Sequence, residues 1–338
     1  MKLLRVCATN FKNCADNFTI DLVAKSRKYA EDKEYELLEI ADGLYVYTTA
    51  AFVGKNASGK TSAVELLDCC YSILGDFRLE NKHYRYDDVR LIIDFFEDGF
   101  IYRYTTVLES DTTLGNKAIF TEQHIYKKKY YKSYIREIYS DEGFEELTNL
   151  GALFKAMKTF KISAKVLAKI IRIFDENING LRMIDDNRFE LDYQGKKQVV
   201  SDDELIYLLS SGTTKGILLY IFVVAALENG FDLLIDEVEN HFHKTLVENM
   251  ISLFKDKTVN RRSATLIFTT HYCELLDLFG RQDNIWIAKA DDKVRIMNMY
   301  DSYSIRPELM KSRQFYNNAF NTAVNYEDLM ALKKELMI

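Results

Sequence analysis

Residues 54 to 61 read GKNASGKT and fit the phosphate-loop pattern G-x-x-x-x-G-K-[ST] at every position. Glycines let backbone N–H groups surround a phosphate, and a helix that starts after the loop favours negative charge. Lys60 is placed to reach the β- and γ-phosphates of a nucleotide, and the Thr61 hydroxyl to ligate Mg²⁺. The predicted ATP-binding residues are Gly54, Lys55, Asn56, Ala57, Ser58, Gly59, Lys60, Thr61 and Ser62.

A second stretch, GFDLLIDEVENHFH at residues 230–243, joins an apolar run to carboxylates and histidines. A nucleotide-bound Mg²⁺ needs a carboxylate at the carboxyl end of a strand beside the phosphate loop, which predicts Asp236 as a metal ligand. Glu237 is the predicted catalytic base that polarises the attacking water. The H-x-H pair, His241 and His243, also permits a second interpretation, ligation of Zn²⁺ beside acidic side chains.

The elements around these motifs alternate between strand and helix. We predict one strand over residues 44–54 and a helix after the loop, because apolar residues recur at helical spacing from Val64 to Leu74. A second α/β piece has helices at 213–228 and 243–254 and strands at 231–235 and 264–269. Between the two pieces we predict hairpins turning at Asp98-Gly99 and at Gln194-Gly195, and helical stretches at 145–160 and 164–174.

Composition narrows the class of protein. The net charge of −6 argues against a general basic nucleic-acid surface, and 48% hydrophobic residues allow a sizeable core. Five cysteines without a C-x-x-C pair fit a reducing compartment. No apolar run reaches the ~18 residues of a membrane span. We therefore expect a cytoplasmic protein with no membrane partner.

Two further motifs occur in an informative order. LSSGTTKG, at 209–216, precedes the acidic strand, and LIFTTH follows it and ends at His271. This order resembles that of the ABC/SMC-like P-loop ATPases. SSGT, LLIDEVENHFH, IFTTH and the opening NFKNCADNFTIDL are similar to the OLD/RecF-like (AAA_15/AAA_21-type) branch, which includes ATPases of bacterial anti-phage systems.

The resemblance implies a role for each motif. His271 would be a catalytic switch histidine that senses the γ-phosphate. Gln123 is the candidate for the Q-loop and a further Mg²⁺ ligand. The signature turn, which contacts a nucleotide bound by the opposite subunit, would be Ser210, Ser211, Gly212 and Thr213. The D-loop at the dimer interface would be Glu239, Asn240, His241 and His243.

The resemblance also implies the architecture. It is an α/β fold, an ABC-ATPase head with a P-loop NTPase core, an N-terminal antiparallel β-subdomain and an inserted mixed α/β lobe. Residues 1–338 would form this single head. Its parts are core lobes at about 1–80 and 200–300, an inserted lobe of β-hairpins and helices at about 85–200, and a C-terminal helical tail at about 301–338.

The function that these expectations support is a switch. The chain would hydrolyse ATP with Mg²⁺, form a homodimer or higher oligomer on ATP, and control a separate effector, a nuclease or toxin, in anti-phage defence. Nucleic acid is not required. The alternative is a RecF/SMC-like ATPase that repairs or clamps DNA. The signature S-S-G-T, where transporters have S-G-G-Q, argues against a transporter subunit.

Overall fold

The computed structural model describes residues 1–26, 35–76, 79, 85–111, 117–132, 139, 145–146, 178–185, 188–201, 204, 211–241, 243–306, 309–320 and 326–336. The chain divides into two compact units. The first comprises residues 1–156 and 268–338, and the second comprises residues 157–267.

The strands and helices follow in chain order. The strands are β1 (Lys2–Thr9), β2 (Phe18–Asp21), β3 (Leu37–Ala41), β4 (Leu44–Tyr47), β5 (Thr49–Val53), β6 (Val89–Glu97), β7 (Phe100–Asp111), β8 (Lys117–Lys129), β9 (Glu145–Glu146), β10 (Ile178–Asp185), β11 (Arg188–Tyr193), β12 (Lys196–Ser201), β13 (Asp232–Ile235), β14 (Thr265–Thr270), β15 (Ile285–Ala290) and β16 (Val294–Asn298). The helices are α1 (Lys60–Asp76), α2 (Ser211–Asn229), α3 (Lys244–Lys255), α4 (Met299–Ser302), α5 (Lys311–Tyr316) and α6 (Tyr326–Glu335), with 3-10 helices at Val238–His241 and Cys273–Leu278.

A six-stranded antiparallel sheet, of order β2-β1-β6-β7-β8-β9, occupies much of the first unit. Buried and more exposed residues alternate along much of β1, as expected for a strand with one face on the core. Asp98 and Gly99 both have positive φ, at 48° and 82°, so the β6–β7 hairpin turns as the Asp-Gly pair predicts. The sheet therefore joins strands of the predicted N-terminal core lobe, β1 and β2, to strands of the predicted inserted lobe, β6 to β9.

Charged side chains cross the middle of this sheet. Asp94, which has no exposed surface, accepts hydrogen bonds from Arg5 Nε at 2.9 Å and Arg103 Nε at 2.7 Å. The Tyr139 ring lies over the Arg5 guanidinium, 3.8 Å from its centroid, and the Tyr139 hydroxyl donates to Asp21 at 2.6 Å. Burial raises the pKa of Asp21 and raises the pKa of Tyr139 well above its usual range. This cluster connects strands β1, β2, β6 and β7 with Tyr139.

A second sheet carries the strand that ends at the phosphate loop. In the first unit its order is β14-β5-β15-β16, with β5 parallel to β15 and β15 antiparallel to β16. All residues of β5 and of β14 are buried. Strand β13 of the second unit is the other neighbour of β14. Residues 265–267 of β14 belong to the second unit, and residues 268–270 belong to the first. Continuous burial explains why these strands are apolar without alternation.

The second unit also contains a three-stranded antiparallel sheet, β10-β11-β12. Helix α2 is tied to α3 by the Tyr220 hydroxyl, which donates to the Leu246 carbonyl at 2.9 Å. Gly230 ends α2 with φ of 77°, and a Cβ there would lie 2.2 Å from the Arg262 carbonyl oxygen. Only glycine fits this turn, which leads directly into β13.

Two sequence predictions of secondary structure are wrong. The predicted strand 44–54 is two strands in different sheets, because β4 pairs with β3 while β5 joins the larger sheet. Thr48, between them, donates its N–H to the Glu36 carbonyl at 3.0 Å. Glu145 and Glu146 form the edge strand β9 against Tyr126 and Lys127, where a helix start was predicted. All other residues of the two predicted helical stretches, 145–160 and 164–174, lie outside the described residues.

The hairpin turn at Gln194-Gly195 is confirmed, as both residues have positive φ. Predicted helix 213–228 is observed as α2, and the predicted strands at 231–235 and 264–269 as β13 and β14, within two residues at each end. Among the described residues, no helix is both long enough and apolar enough to span a membrane.

The charge cluster in the six-stranded sheet yields a stability prediction. Asp94→Ala would leave Arg5 and Arg103 without their shared carboxylate, and we expect the free energy of unfolding to fall by about 3–5 kcal/mol in urea titrations. Arg90→Ala is the matched control, because the Arg90–Asp88 pair is 60% and 47% exposed and its loss should stay below about 1 kcal/mol. Equal losses in the two variants would contradict this account.

Candidate nucleotide site

The phosphate loop, residues 54–59, runs from the end of β5 to the start of α1. Ala57 and Gly59 have positive φ, at 60° and 91°, so the loop reverses direction twice within a few residues. The first turn of α1 contains no acidic side chain, which leaves the positive end of the helix available to an anion. The structure therefore contains the strand, loop and helix that the sequence predicts for the phosphate-loop motif.

Close packing explains both glycines of the motif. A Cβ on Gly59 would lie 2.2 Å from Cγ1 of Val294, at the start of β16. A Cβ on Gly54 would lie 2.4 Å from Ser58 Oγ and 2.6 Å from the Ala288 carbonyl oxygen. The loop is thus held against the β15–β16 hairpin with no space for a side chain at either position.

Lys60, the first residue of α1, is a buried charged side chain of the phosphate-loop motif. It is only 5% exposed, and its Nζ donates to the carbonyls of Gly54 at 2.9 Å and Lys55 at 3.0 Å. The same Nζ lies 3.1 Å from Nδ1 of His271. A buried ammonium requires such acceptors, because desolvation strongly disfavours an unpaired charge.

The residues present fit a nucleotide phosphate with its metal. Ser58 Oγ is buried and has no hydrogen-bond partner among the described residues, so a polar atom in the loop has unused bonding capacity. Lys55, Asn56 and Ala57 are exposed at the tip of the loop, and Thr61 is exposed at the start of α1. An accessible hydroxyl beside a buried ammonium is the arrangement that a Mg²⁺-nucleotide requires.

The N-terminal segment 10–15 contributes to the site in a way that the motif did not reveal. Val294 donates its N–H to the Asn13 carbonyl at 2.8 Å, and its own carbonyl accepts from Ala15 N at 2.9 Å. Lys12 forms an ion pair with Glu65 on α1. Only the NFKN opening of the resemblance pointed to this segment; the spacing of the phosphate loop gave no signal for it.

Cys14 lies within this segment, buried against the start of α1. Burial raises the pKa of the Cys14 thiol to about 11, although Lys12 and Ser62 act in the opposite direction. The thiol is therefore protonated at neutral pH and behaves as a packing group.

His271 is positioned by the end of β14. The strand is wholly buried, so its last residue fixes where the histidine emerges. Thr270 Oγ1 accepts from Tyr272 N at 3.0 Å, and the His271 carbonyl is contacted by Cys273 Sγ at 3.6 Å. The structure thus brings together, within the first unit, two residues predicted from separate motifs, Lys60 and His271.

The predicted acidic residues follow β13 in the second unit. Asp236 is exposed and Glu237 is half-buried. Glu237 has φ of 48°, a left-handed conformation that costs a residue with a side chain about 1–2 kcal/mol. Strain of this kind at a predicted catalytic carboxylate is typical of a functional site.

The predicted D-loop lies in a 3-10 helix over Val238–His241, whose first residue, Val238, is buried. His243 is the N-cap of α3, and its side chain accepts from Thr245 N. This capping is a sufficient structural reason for one histidine of the H-x-H pair. The side chains of Asn240 and His241 lie outside the described residues.

The remaining predicted positions are only partly described. Ser211, Gly212 and Thr213 form the first turn of α2, as expected for a turn that opens a helix, whereas Ser210 lies outside the described residues. Gln123 is exposed within β8, and its Oε1 accepts from the Tyr104 hydroxyl at 2.8 Å. Its assignment to the Q-loop and to Mg²⁺ stays a prediction.

A family model matches residues 50–277, about two thirds of the chain, and it is described as "AAA domain, putative AbiEii toxin, Type IV TA system". The chain belongs to the AAA_21 family. Comparison with curated proteins gives no match. The AAA_21 match begins in β5, includes the phosphate loop and the acidic strand, and ends just after His271. It is therefore a P-loop ATPase domain of the AAA_21 type, with the nucleotide and Mg²⁺ use general to such domains.

The packing of Gly59 generates a prediction for this AAA_21 domain. Gly59→Ala would force a Cβ onto Val294 and a side chain into a left-handed residue, and we expect ATP affinity to fall at least tenfold, about 1.4 kcal/mol. Gly99→Ala is the matched control. Gly99 has a similar φ of 82°, and a Cβ there meets nothing within 4 Å.

Both variants share the backbone strain, so their difference isolates the contact with Val294. Nucleotide binding is measured by calorimetry, and unfolding by thermal melts. Equal ATP affinities for the two alanine variants would contradict the proposed role of the close packing.

Proposed function

We propose that this chain is a Mg²⁺-dependent ATP hydrolase that dimerises on ATP and controls a separate effector, a nuclease or toxin, in bacterial anti-phage defence. The observation that carries the hydrolase is the 3.1 Å approach of His271 Nδ1 to Lys60 Nζ. It places a strand-end histidine beside the ammonium group that a P-loop uses on the terminal phosphates.

Phosphoryl transfer depends on positioning and charge more than on covalent chemistry. When nucleotide binds, Lys60 would exchange its carbonyl acceptors for phosphate oxygens. His271 would then leave the Lys60 ammonium group and contact the γ-phosphate instead. Thr61 and Asp236 would hold the Mg²⁺, whose charge would offset that of the phosphate oxygens. Glu237 would orient and polarise the attacking water.

Dimerisation rests on the signature motif. The chain contains one phosphate loop and one signature turn, and the resemblance to ABC/SMC-like heads implies that Ser210–Thr213 of one subunit completes the nucleotide site of the other. The D-loop, Glu239–His243, would lie at that interface. On this proposal the fold is an ABC-type head, and ATP is bound between two copies.

The role in defence is inferred from the family description and from the motifs. The description of the AAA_21 family names a toxin of a toxin–antitoxin system, and the motifs resemble those of OLD/RecF-like ATPases. Every motif that the sequence carries belongs to ATP hydrolysis. The output is therefore assigned to a separate chain whose activity follows the ATP state.

The proposed hydrolase activity predicts how ATP turnover depends on two residues of the site. Lys60→Ala should abolish ATP binding, and Glu237→Gln should bind ATP but hydrolyse it at least about 100-fold more slowly, the scale for loss of a general base. Glu228→Gln, an exposed carboxylate at the end of α2, should leave turnover unchanged. Wild-type hydrolysis by Glu237→Gln would rule out its assigned role.

The same assay decides the metal. After EDTA treatment, Mg²⁺ should restore hydrolysis and Zn²⁺ should not. Stoichiometric zinc in the purified protein, lost when His241 and His243 are both changed to Ala, would instead establish the alternative interpretation of the H-x-H pair.

The second prediction concerns composite sites. ATP should shift Glu237→Gln towards a dimer in light scattering. Lys60→Ala and Ser211→Arg chains should each be inactive, and their mixture should recover partial activity, because one of the two sites in a heterodimer keeps an intact loop and signature. A monomer that retains full activity on dilution would contradict shared sites.

The third prediction concerns the effector. The purified chain should cleave neither DNA nor RNA alone, and cleavage or toxicity should require the product of a neighbouring gene and respond to Glu237→Gln. Robust cleavage by the Lys60→Ala chain alone would show an unrecognised active site. ATP hydrolysis that rises with duplex length would favour the DNA-clamping alternative.

A further inference from the structure

The segment that follows His271 is hydrogen-bonded to a part of the chain that lies after the AAA_21 match. This part, residues 309–320, contains helix α5 and is called the C-terminal arm. The 3-10 helix Cys273–Leu278 begins two residues after His271 and packs its apolar side, Cys273, Leu275 and Leu276, into the core. Its two acidic side chains, Glu274 and Asp277, are both bound by the arm.

The contacts are specific in geometry. Ser312 donates its N–H to Asp277 Oδ1 at 3.0 Å and its hydroxyl to the second carboxylate oxygen. The Tyr316 hydroxyl donates to Glu274 Oε1, and this bond raises the pKa of Tyr316 to about 12. The Lys311 ammonium is buried and donates to the Phe279 carbonyl at 2.7 Å, at the end of the 3-10 helix.

The arm is itself anchored. Phe320 is fully buried and packs edge-on against Tyr303, with ring centroids 5.0 Å apart, and against Phe315 at 5.7 Å. Phe279, which directly follows the 3-10 helix, packs against Phe268 of β14 with ring centroids 6.2 Å apart. Phe268 lies three residues before His271. One continuous set of contacts therefore runs from the arm, through the 3-10 helix and the end of β14, to His271 and Lys60.

We propose that Ser312 and Tyr316 are positioning residues for His271, and that the C-terminal arm is thereby coupled to the nucleotide at the phosphate loop. The inference rests on the proposed function, in which phosphate takes over the contact between Lys60 and His271. Phosphate and arm act on the same short segment from opposite ends. Because the arm holds the segment that carries His271, loss of the arm's hydrogen bonds displaces His271 and slows ATP turnover.

The test separates positioning from general stability. Ser312→Ala combined with Tyr316→Phe removes two hydroxyl groups without changing the backbone. We expect kcat to fall about fivefold or more while the Kd for ATP stays within about twofold, because His271 would act on the γ-phosphate during hydrolysis more than on binding. Tyr300→Phe, which removes a hydroxyl from an exposed tyrosine in α4, is the control, and Ser312→Thr should restore the loss due to Ser312→Ala.

The decisive comparison is made in a His271→Ala background. If the arm acts through His271, the double variant should produce no further loss of kcat there. An equal loss in both backgrounds, or a kcat equal to that of Tyr300→Phe, would overturn the inference. Should the double variant fail to fold, hydrogen exchange is measured on Glu237→Gln with and without MgATP. Protection of residues 310–317 should change with MgATP and lose that response in His271→Ala, and an unchanged pattern would overturn the inference.

The two proposals fail differently. An unmodified chain without Lys60-dependent hydrolysis would overturn the proposed function and this inference together. Lys60-dependent hydrolysis that is unaffected by the arm variants would overturn the inference alone.

Discussion

The buried ammonium group of Lys60 is the constraint on which the site in the first unit depends. Lys60 as a whole is only 5% exposed, so its ammonium group is largely removed from water and needs protein acceptors. The resting structure supplies two loop carbonyls and a histidine nitrogen. A phosphate can replace these acceptors with stronger, charged ones. On the proposed function, Lys60 would therefore exchange neutral acceptors for charged ones when nucleotide binds.

That constraint is consistent with the close packing of the elements around the loop. The loop must keep the Gly54 and Lys55 carbonyls close to Lys60, so β5 is buried along its whole length and runs parallel to β15. Val294 leaves no gap at Gly59, and the N-terminal segment is hydrogen-bonded to both sides of Val294. Three separate parts of the sequence thus hold one loop in shape.

The sequence predicted local patterns well and contacts between distant segments poorly. The phosphate loop, the Asp-Gly turn and the apolar strands follow from residue types and spacing, so they could be recognised without a structure. The break at Thr48 could not, because the apolar pattern of β4 and β5 is continuous and only the pairing partners differ. Strand β9 was missed for the same reason: a glutamate pair has no strand pattern, and β8 imposes one on it.

The candidate site divides in the same way. Lys60, Thr61, Asp236 and Glu237 were predicted from motifs, whereas Val294 and Lys12 carry no motif and depend on tertiary packing. The approach of His271 to Lys60 joins residues that are 211 positions apart, a relation that a single sequence does not contain. The left-handed backbone at Glu237 was equally hidden, since no glycine or asparagine marks it.

Cys14 has a consequence for the chemistry of the surroundings. A thiol with a pKa of about 11 carries a thiolate fraction of roughly one in ten thousand at pH 7, and it is the thiolate that reacts with peroxides and electrophiles. Burial therefore lowers the reactivity of this cysteine towards oxidants, so a buried thiol can lie beside the phosphate loop as an ordinary packing group.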